Sequence, residues 1–187
     1  MIRNIKNHIN LMISTSEKYE MLSDKILHYN IYVNKSEKII RNTSLQVELY
    51  KPGNVNNYAY LVIEYTPNNS NNLGIQVNVN SQLSLNKKNN DFQLNDVFWG
   101  ILNGNDRFGD AILATAITKA IELNYPSGIL SFKSGAYRED TGTSCALMEK
   151  MTLFMLELLD KNIDLLSDDE IVEIWRKEYR KTLIYKA

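Results

Sequence analysis

Tyr58-Ala59-Tyr60-Leu61-Val62-Ile63-Glu64-Tyr65-Thr66-Pro67 decides the fold. Tyrosine, valine and isoleucine at this density favour a pleated, half-buried strand over a helix. Pro67-Asn68-Asn69 then ends it with turn chemistry. The strand has two unequal faces. Ala59, Leu61, Ile63 and Tyr65 are uniformly apolar and are expected to meet helices. Tyr58, Tyr60, Val62 and Glu64 are mixed, and are expected to be exposed. Tyr58 and Tyr60 are therefore candidates for contacting a partner, since aromatic side chains are enriched at interface hot spots.

Working outward, Leu45, Val47 and Leu49 alternate with Gln46 and Glu48, and Ile75, Val77 and Val79 alternate with Gln76 and Asn78. Period-two patterns of this kind predict half-buried strands. Pro52-Gly53-Asn54 reads as the turn before the central strand. Such short spacing predicts an antiparallel meander. Tyr19, Leu22, Ile26 and Tyr29 share one helical stripe and predict a helix over 16–29, with Ser14 and Glu17 as its capping box. Ile31 to Val33 opens a further extended segment, and Lys38 to Ile40 continues or pairs with it.

Beyond a polar loop at 81–90, Leu94, Val97, Phe98 and Ile101 have helical spacing. A longer helix over 110–123 carries Ile112, Leu113, Ala116, Ile117, Ala120 and Ile121, and Tyr125-Pro126-Ser127-Gly128 stops it. A buried strand over 128–133 follows, then an apolar helix over 146–159. Ser167-Asp168-Asp169-Glu170 reads as a capping box for a last helix striped by Ile171, Trp175 and Tyr179.

These elements predict an α+β fold: a mainly antiparallel four- or five-stranded sheet, helices chiefly on one face, and N- and C-terminal helices. One domain is expected over 1–187, with a helical segment at 1–30, an α+β core at 31–160 and a helix at 161–187. A chain of 187 residues suffices for one buried core.

Gly135-Ala136-Tyr137-Arg138-Glu139-Asp140-Thr141-Gly142-Thr143-Ser144-Cys145 joins the 128–133 strand to the next helix. Helix N-termini bind anions. Ordinary capping by Thr143 or Ser144, with Asp140 on the dipole and Gly142 in a tight turn, explains most of these residues. Lys133, Arg138 and Glu139 are the charges that capping does not require. The acidic start of the last helix, Asp168 and Asp169, is the other charged candidate for docking.

Composition narrows the function. Charged residues make up 23% and the formal net charge is −1, which argues against nucleic acid as the main partner. No apolar run approaches the ~20 residues that span a bilayer, so no membrane role is expected. Cys145 is the only cysteine, and His8 and His28 are the only histidines. A thiol nucleophile would need a base beside it. No metal-ligand spacing occurs, Asn103-Gly104-Asn105-Asp106 reads as a plain turn, and no cofactor is expected.

Residues 45–160 resemble the fourth domain of elongation factor G and its ribosome-protection relatives. The likeness lies in Tyr58 to Pro67, in Tyr125-Pro126 before a strand, and in Gly135-Ala136-Tyr137 followed by Asp140-Thr141 and a helix. It implies a ribosomal protein S5 domain 2-like sheet flanked by helices, and a translation-associated module that binds ribosome or factor. The family's paired glycines before the central strand are reduced here to Gly53, and the histidine expected after the Gly-x-Tyr is Arg138.

Size, charge and the lack of a catalytic set give the leading expectation. It is a non-enzymatic, cytoplasmic protein-binding protein, similar to the immunity or antitoxin proteins of bacterial competition. Such a protein neutralises a toxin by occluding its active site. The translation-associated module is the alternative.

Overall fold

The structure, a computed structural model, describes residues 2–6, 10–15, 23–34, 38–51, 57–81, 97–103, 107–138 and 143–184. Among these residues, eight strands form one mixed sheet: β1 (Ile2–Lys6), β2 (Asn10–Ser14), β3 (Lys25–Tyr32), β4 (Thr43–Lys51), β5 (Asn57–Pro67), β6 (Asn72–Val79), β7 (Phe98–Trp99) and β8 (Gly128–Tyr137). Three helices accompany them: α1 (Phe108–Glu122), α2 (Cys145–Lys161) and α3 (Asp168–Ile184), with a 3-10 turn at Ile163–Leu165. The α+β class stands. The sheet is larger than four or five strands, and it is not a simple meander.

The strand order is β1-β2-β4-β5-β8-β6-β3, with β7 paired to β8. The central strand β5 pairs on one side with β4, its neighbour in sequence. Its other neighbour is β8, the last strand in sequence, and not β6. β8 runs parallel to β6. A parallel neighbour needs a long crossover, and the β6-to-β8 connection that contains α1 supplies it. Gly128 admits β8 to this slot: a Cβ there would lie 2.7 Å from Thr66 O and from the Tyr65 hydroxyl.

The N-terminal helical segment is overturned. Residues 2–6, 10–14 and 25–32 are strands. Ile26 and Tyr29, taken for a helical stripe, lie on β3 at the edge of the sheet. Leu27, Ile31 and Val33 are the residues that pack inward. Residues 16–22, which would have held the start of that helix, lie outside those described, as do 52–54 and most of 81–90. Lys38 to Ile40 is not strand. Phe98 and Trp99 are strand rather than helix. They alternate: Val97 and Trp99 enter one apolar cluster while Phe98 packs against the other.

The main core lies between the helices and one face of the sheet. It contains Leu11, Ile13, Val47, Leu61, Ile63, Ile75 and Phe132 from the strands, and Ile112, Ala116, Met151, Phe154 and Met155 from the helices. α1 lies against β3 and β6, α2 against β4 and β5, and α3 on α2. Ile171 and Trp175 are buried, and Trp175 meets Phe154 edge-on at 5.2 Å. The side chain of Tyr179 is outside those described. The apolar face of β5 points at the helices as its sequence predicts.

Candidate functional site

The opposite face of the sheet has two halves. At one end, Tyr58, Tyr60, Val62, Val97, Trp99 and Ala136 form a second, smaller core. Trp99 meets Tyr60 edge-on at 5.2 Å. The Tyr58 hydroxyl donates to Glu48 Oε1 at 2.9 Å, and the Tyr60 hydroxyl to Gln46 Oε1 at 3.4 Å. Tyr58 is 0% and Tyr60 4% exposed, so the expectation that these tyrosines present themselves to a partner is corrected. A tyrosine covers a large apolar area and needs one polar contact for its hydroxyl. The neighbouring strand β4 offers that contact with Glu48 and Gln46, and Trp99 roofs the rings.

At the other end the same face reaches solvent. His28 and Asn30 of β3, Gln76 and Asn78 of β6, Ile129 of β8, and Glu64 and Thr66 of β5 are exposed or half-buried there. His28 Nε2 lies 3.1 Å from Asn30 Oδ1, and the Ser131 hydroxyl donates to Gln76 Oε1 at 3.2 Å. Lys133 joins this half through an irregularity. Ile63 pairs with Phe132 and Val62 with Ser134, leaving Lys133 as the extra residue of a β-bulge. Bulges re-aim side chains. Here the bulge turns Lys133 Nζ toward Glu64, 3.4 Å away.

Arg138 lies five residues further along, at the strand-to-helix junction, so the structure separates it from Lys133 by roughly 16 Å of chain. Its backbone N–H donates to the Thr143 hydroxyl at 3.1 Å, which in turn donates to Tyr58 O at 2.6 Å. Ser144 caps α2, accepting from the Leu147 N–H at 3.2 Å. The hydroxyls of the junction thus close the chain upon itself. Gly135, Ala136 and Tyr137 belong to β8 rather than to a loop. A Cβ at Gly135 would meet Ile101 Cγ1 at 2.9 Å. Glu139, Asp140 and Gly142 lie outside the described residues. Cys145 is half-buried at the start of α2 and packs against the core.

Asp168 and Asp169 are exposed at the start of α3, on the helix side of the molecule. Arg3 of β1 pairs with Asp168 at 3.4 Å and donates to the carbonyls of Ile163 and Leu166. Ser167 and Glu170 form the expected capping box: the Ser167 N–H and hydroxyl each reach Glu170 Oε2 at 2.8 Å. These two bonds hold the Glu170 carboxyl below its ordinary pKa. The described sequence candidates therefore fall in four places, the small aromatic core, the open half of the sheet, the strand-to-helix junction and the start of α3, and among them Lys133 alone lies on the open face.

One cluster that sequence reasoning missed lies inside the fold. Lys119 of α1 and Glu157 of α2 pair at 2.6 Å, and Glu122 stands 3.3 Å from the same ammonium. Lys38 pairs with Asp160, donates to Leu123 O at 2.8 Å, and sits 5.7 Å from the Tyr125 ring centre. The Tyr125 hydroxyl donates to Leu156 O, and that of Tyr65 to Ser127 O. Burial lowers the Lys38 pKa, with the Glu157 charge opposing it. Burial also pushes Tyr65 up to about 12 and raises Tyr125 well above its ordinary value. The signal was present: Lys119 follows Ile112 and Ala116 at seven and three residues, on the inward stripe of α1. Each charge in the cluster has a partner inside it, which suits a staple between helices.

Asn103 does what a turn residue before a helix does. Its Oδ1 accepts from the Asp110 N–H at 3.1 Å. Among the described residues, no group of three His, Cys, Asp or Glu could hold a metal ion. Among them, too, no helix is long and apolar enough to cross a membrane. Comparison with family models, with curated proteins and with solved structures finds no match to this chain.

Proposed function

We propose that this chain is a protein-binding protein of the immunity or antitoxin type, acting in the cytoplasm. It neutralises a toxin by laying the open half of its sheet across the toxin's active site. The observation that supports this reading is the Lys133 bulge beside Glu64. It sets a cation and an anion in the middle of a face otherwise made of amide, imidazole, hydroxyl and apolar groups. Mixed surfaces of this kind suit protein partners, whose interfaces are about as apolar as ordinary surface and are aligned by complementary charge. A phosphate backbone would instead call for a basic excess, and the net charge is −1.

The test is co-expression with the product of the neighbouring gene. A stable complex and rescue of growth are expected, and Lys133→Glu should weaken both. No co-purification and no rescue would sink the proposal. Salt-sensitive co-sedimentation with ribosomes would favour the translation-associated module in its place.

A further inference from the structure

β3 is the last strand of the sheet order, and it pairs only with β6 among the described residues. The Val33 N–H donates to Asn71 O at 2.9 Å, just beyond the strand. In an antiparallel ladder this fixes the phase: residues facing each other alternate between bonded and non-bonded pairs. Odd-numbered residues of β3 therefore spend their N–H and C=O groups on β6. The N–H and C=O groups of Ile26, His28, Asn30 and Tyr32 point away from the sheet. The register with β6 is unbroken from Lys25 to Tyr32. Natural edge strands are blunted by proline, bulges or several charges. This one carries a single lysine at its first position and no proline. It also exposes large apolar side chains, Ile26 at 53%, Tyr29 at 50% and Tyr32 at 72%.

We infer that this edge pairs with the same edge of a second copy, antiparallel, with a two-fold axis at Tyr29. The strand is self-complementary in that register. Ile26 faces Tyr32 of the second copy, and His28 faces Asn30. Both are hydrogen-bonded pairs, so all the outward groups are used, making about eight main-chain bonds against about ten in a typical interface. On the helix side Tyr29 faces Tyr29, and Leu27 faces Ile31. Aromatic and aliphatic cross-strand pairs of this kind stabilise a sheet. Lys25 falls opposite Val33, so no like charges meet. The neighbouring symmetric register, with His28 opposite His28, fits worse: Ile26 then faces Asn30 and Tyr32 faces Asp24. A two-fold interface uses one patch twice, which this strand satisfies. The product is a continuous sheet whose two open faces lie side by side.

The test needs no toxin, so its outcome is separate from that of the proposed function. Sedimentation equilibrium of the full chain at about 100 µM should give twice the 21.6 kDa of one chain. Tyr29→Lys opposes two cations at the axis and should give a monomer with unchanged circular dichroism. His28→Pro removes an outward N–H while sparing the inner ladder, and should weaken the dimer. With Cys145→Ser as background, Tyr29→Cys should form an intermolecular disulfide on mild oxidation. Non-bonded antiparallel pairs bring Cα atoms to about 4.5 Å, within disulfide reach. His28→Cys should not cross-link. A monomeric wild type, a dimer that survives Tyr29→Lys, or a Tyr29→Cys chain that fails to cross-link would each overturn the inference.

Discussion

Lys119 Nζ of α1 lies 2.6 Å from Glu157 Oε1 of α2, with the lysine side chain 0% and the glutamate 6% exposed. Two opposite charges this deep attract strongly, but taking both from water offsets most of the gain. The pair is therefore costly to break and cheap to replace whole. Lys119→Ala should destabilise the fold by about 3–5 kcal/mol, because it takes the cation from the buried Glu157, and Glu157→Ala should cost less, because Glu122 still stands 3.3 Å from the lysine ammonium. Lys119→Met combined with Glu157→Leu should recover most of that loss. Urea unfolding of the four chains is the measurement. A double variant no more stable than either single one would count against the staple.

The same cluster predicts an alkaline limit. Tyr65 titrates at about 12 in the fold and Tyr125 well above its usual value, against about 10 for an unfolded tyrosine. The folded chain keeps these protons longer. Their stabilisation is thus complete below about pH 10 and is lost as pH rises through the folded values. Lys38 has the opposite sign. Its folded pKa lies below the unfolded 10.5, so stability rises with pH between the two values. Tyr65→Phe should flatten the fall between pH 10 and 12, and Lys38→Gln should remove the preceding rise. Urea midpoints from pH 8 to 12 report both slopes.

Thr143 joins three parts of the molecule with one hydroxyl. It donates to Tyr58 O on β5 and accepts from the Arg138 N–H at the end of β8, one residue before the Ser144 cap of α2. Thr143→Val keeps the shape and strands both backbone groups, at a cost of about 1–3 kcal/mol. Ser144→Ala removes only a cap, at about 1 kcal/mol. Thr143→Ser should stay close to wild type. Thermal unfolding of the three variants ranks them, and equal losses for Thr143→Val and Thr143→Ser would mean the hydroxyl is not what matters.

Much of the fold was legible because several strands obey local rules. Leu45, Val47 and Leu49, and likewise Ile75, Val77 and Val79, alternate cleanly since one face is buried and the other is not. β3 was legible only at its end, where Ile31 to Val33 reads as extended. As an edge strand it buries little, and Ile26 and Tyr29 fall at helical spacing with Tyr19 and Leu22. The place of β8 between β5 and β6 was hidden for another reason. It depends on pairing across about sixty residues of sequence, for which the short turn after Pro67 gives no hint. The candidate site was legible in one residue. Lys133 stood out as a charge that capping does not require, but its bulge exists only in the pairing with β5. Tyr58 and Tyr60 misled because Val97 and Trp99, the residues that cover them, read as a helix.

On the proposed function, the two halves of the sheet face divide stability from recognition. Trp99 roofs Tyr60, so Trp99→Ala should open a cavity and cost about 3–5 kcal/mol. Tyr60→Phe deletes the hydroxyl and its long hydrogen bond to Gln46 and should leave partner binding unchanged, since the ring does not reach the surface. Lys133 and Glu64 are 30% and 38% exposed, and an ion pair at that exposure contributes under about 1 kcal/mol to folding. Lys133→Glu should therefore hardly move the unfolding midpoint while lowering affinity for the proposed toxin at least about tenfold, through loss of the cation and an anion set where the partner meets it. Titration calorimetry beside urea unfolding separates the two effects. Binding that falls with Tyr60→Phe and survives Lys133→Glu would move the recognition surface to the aromatic half of the face.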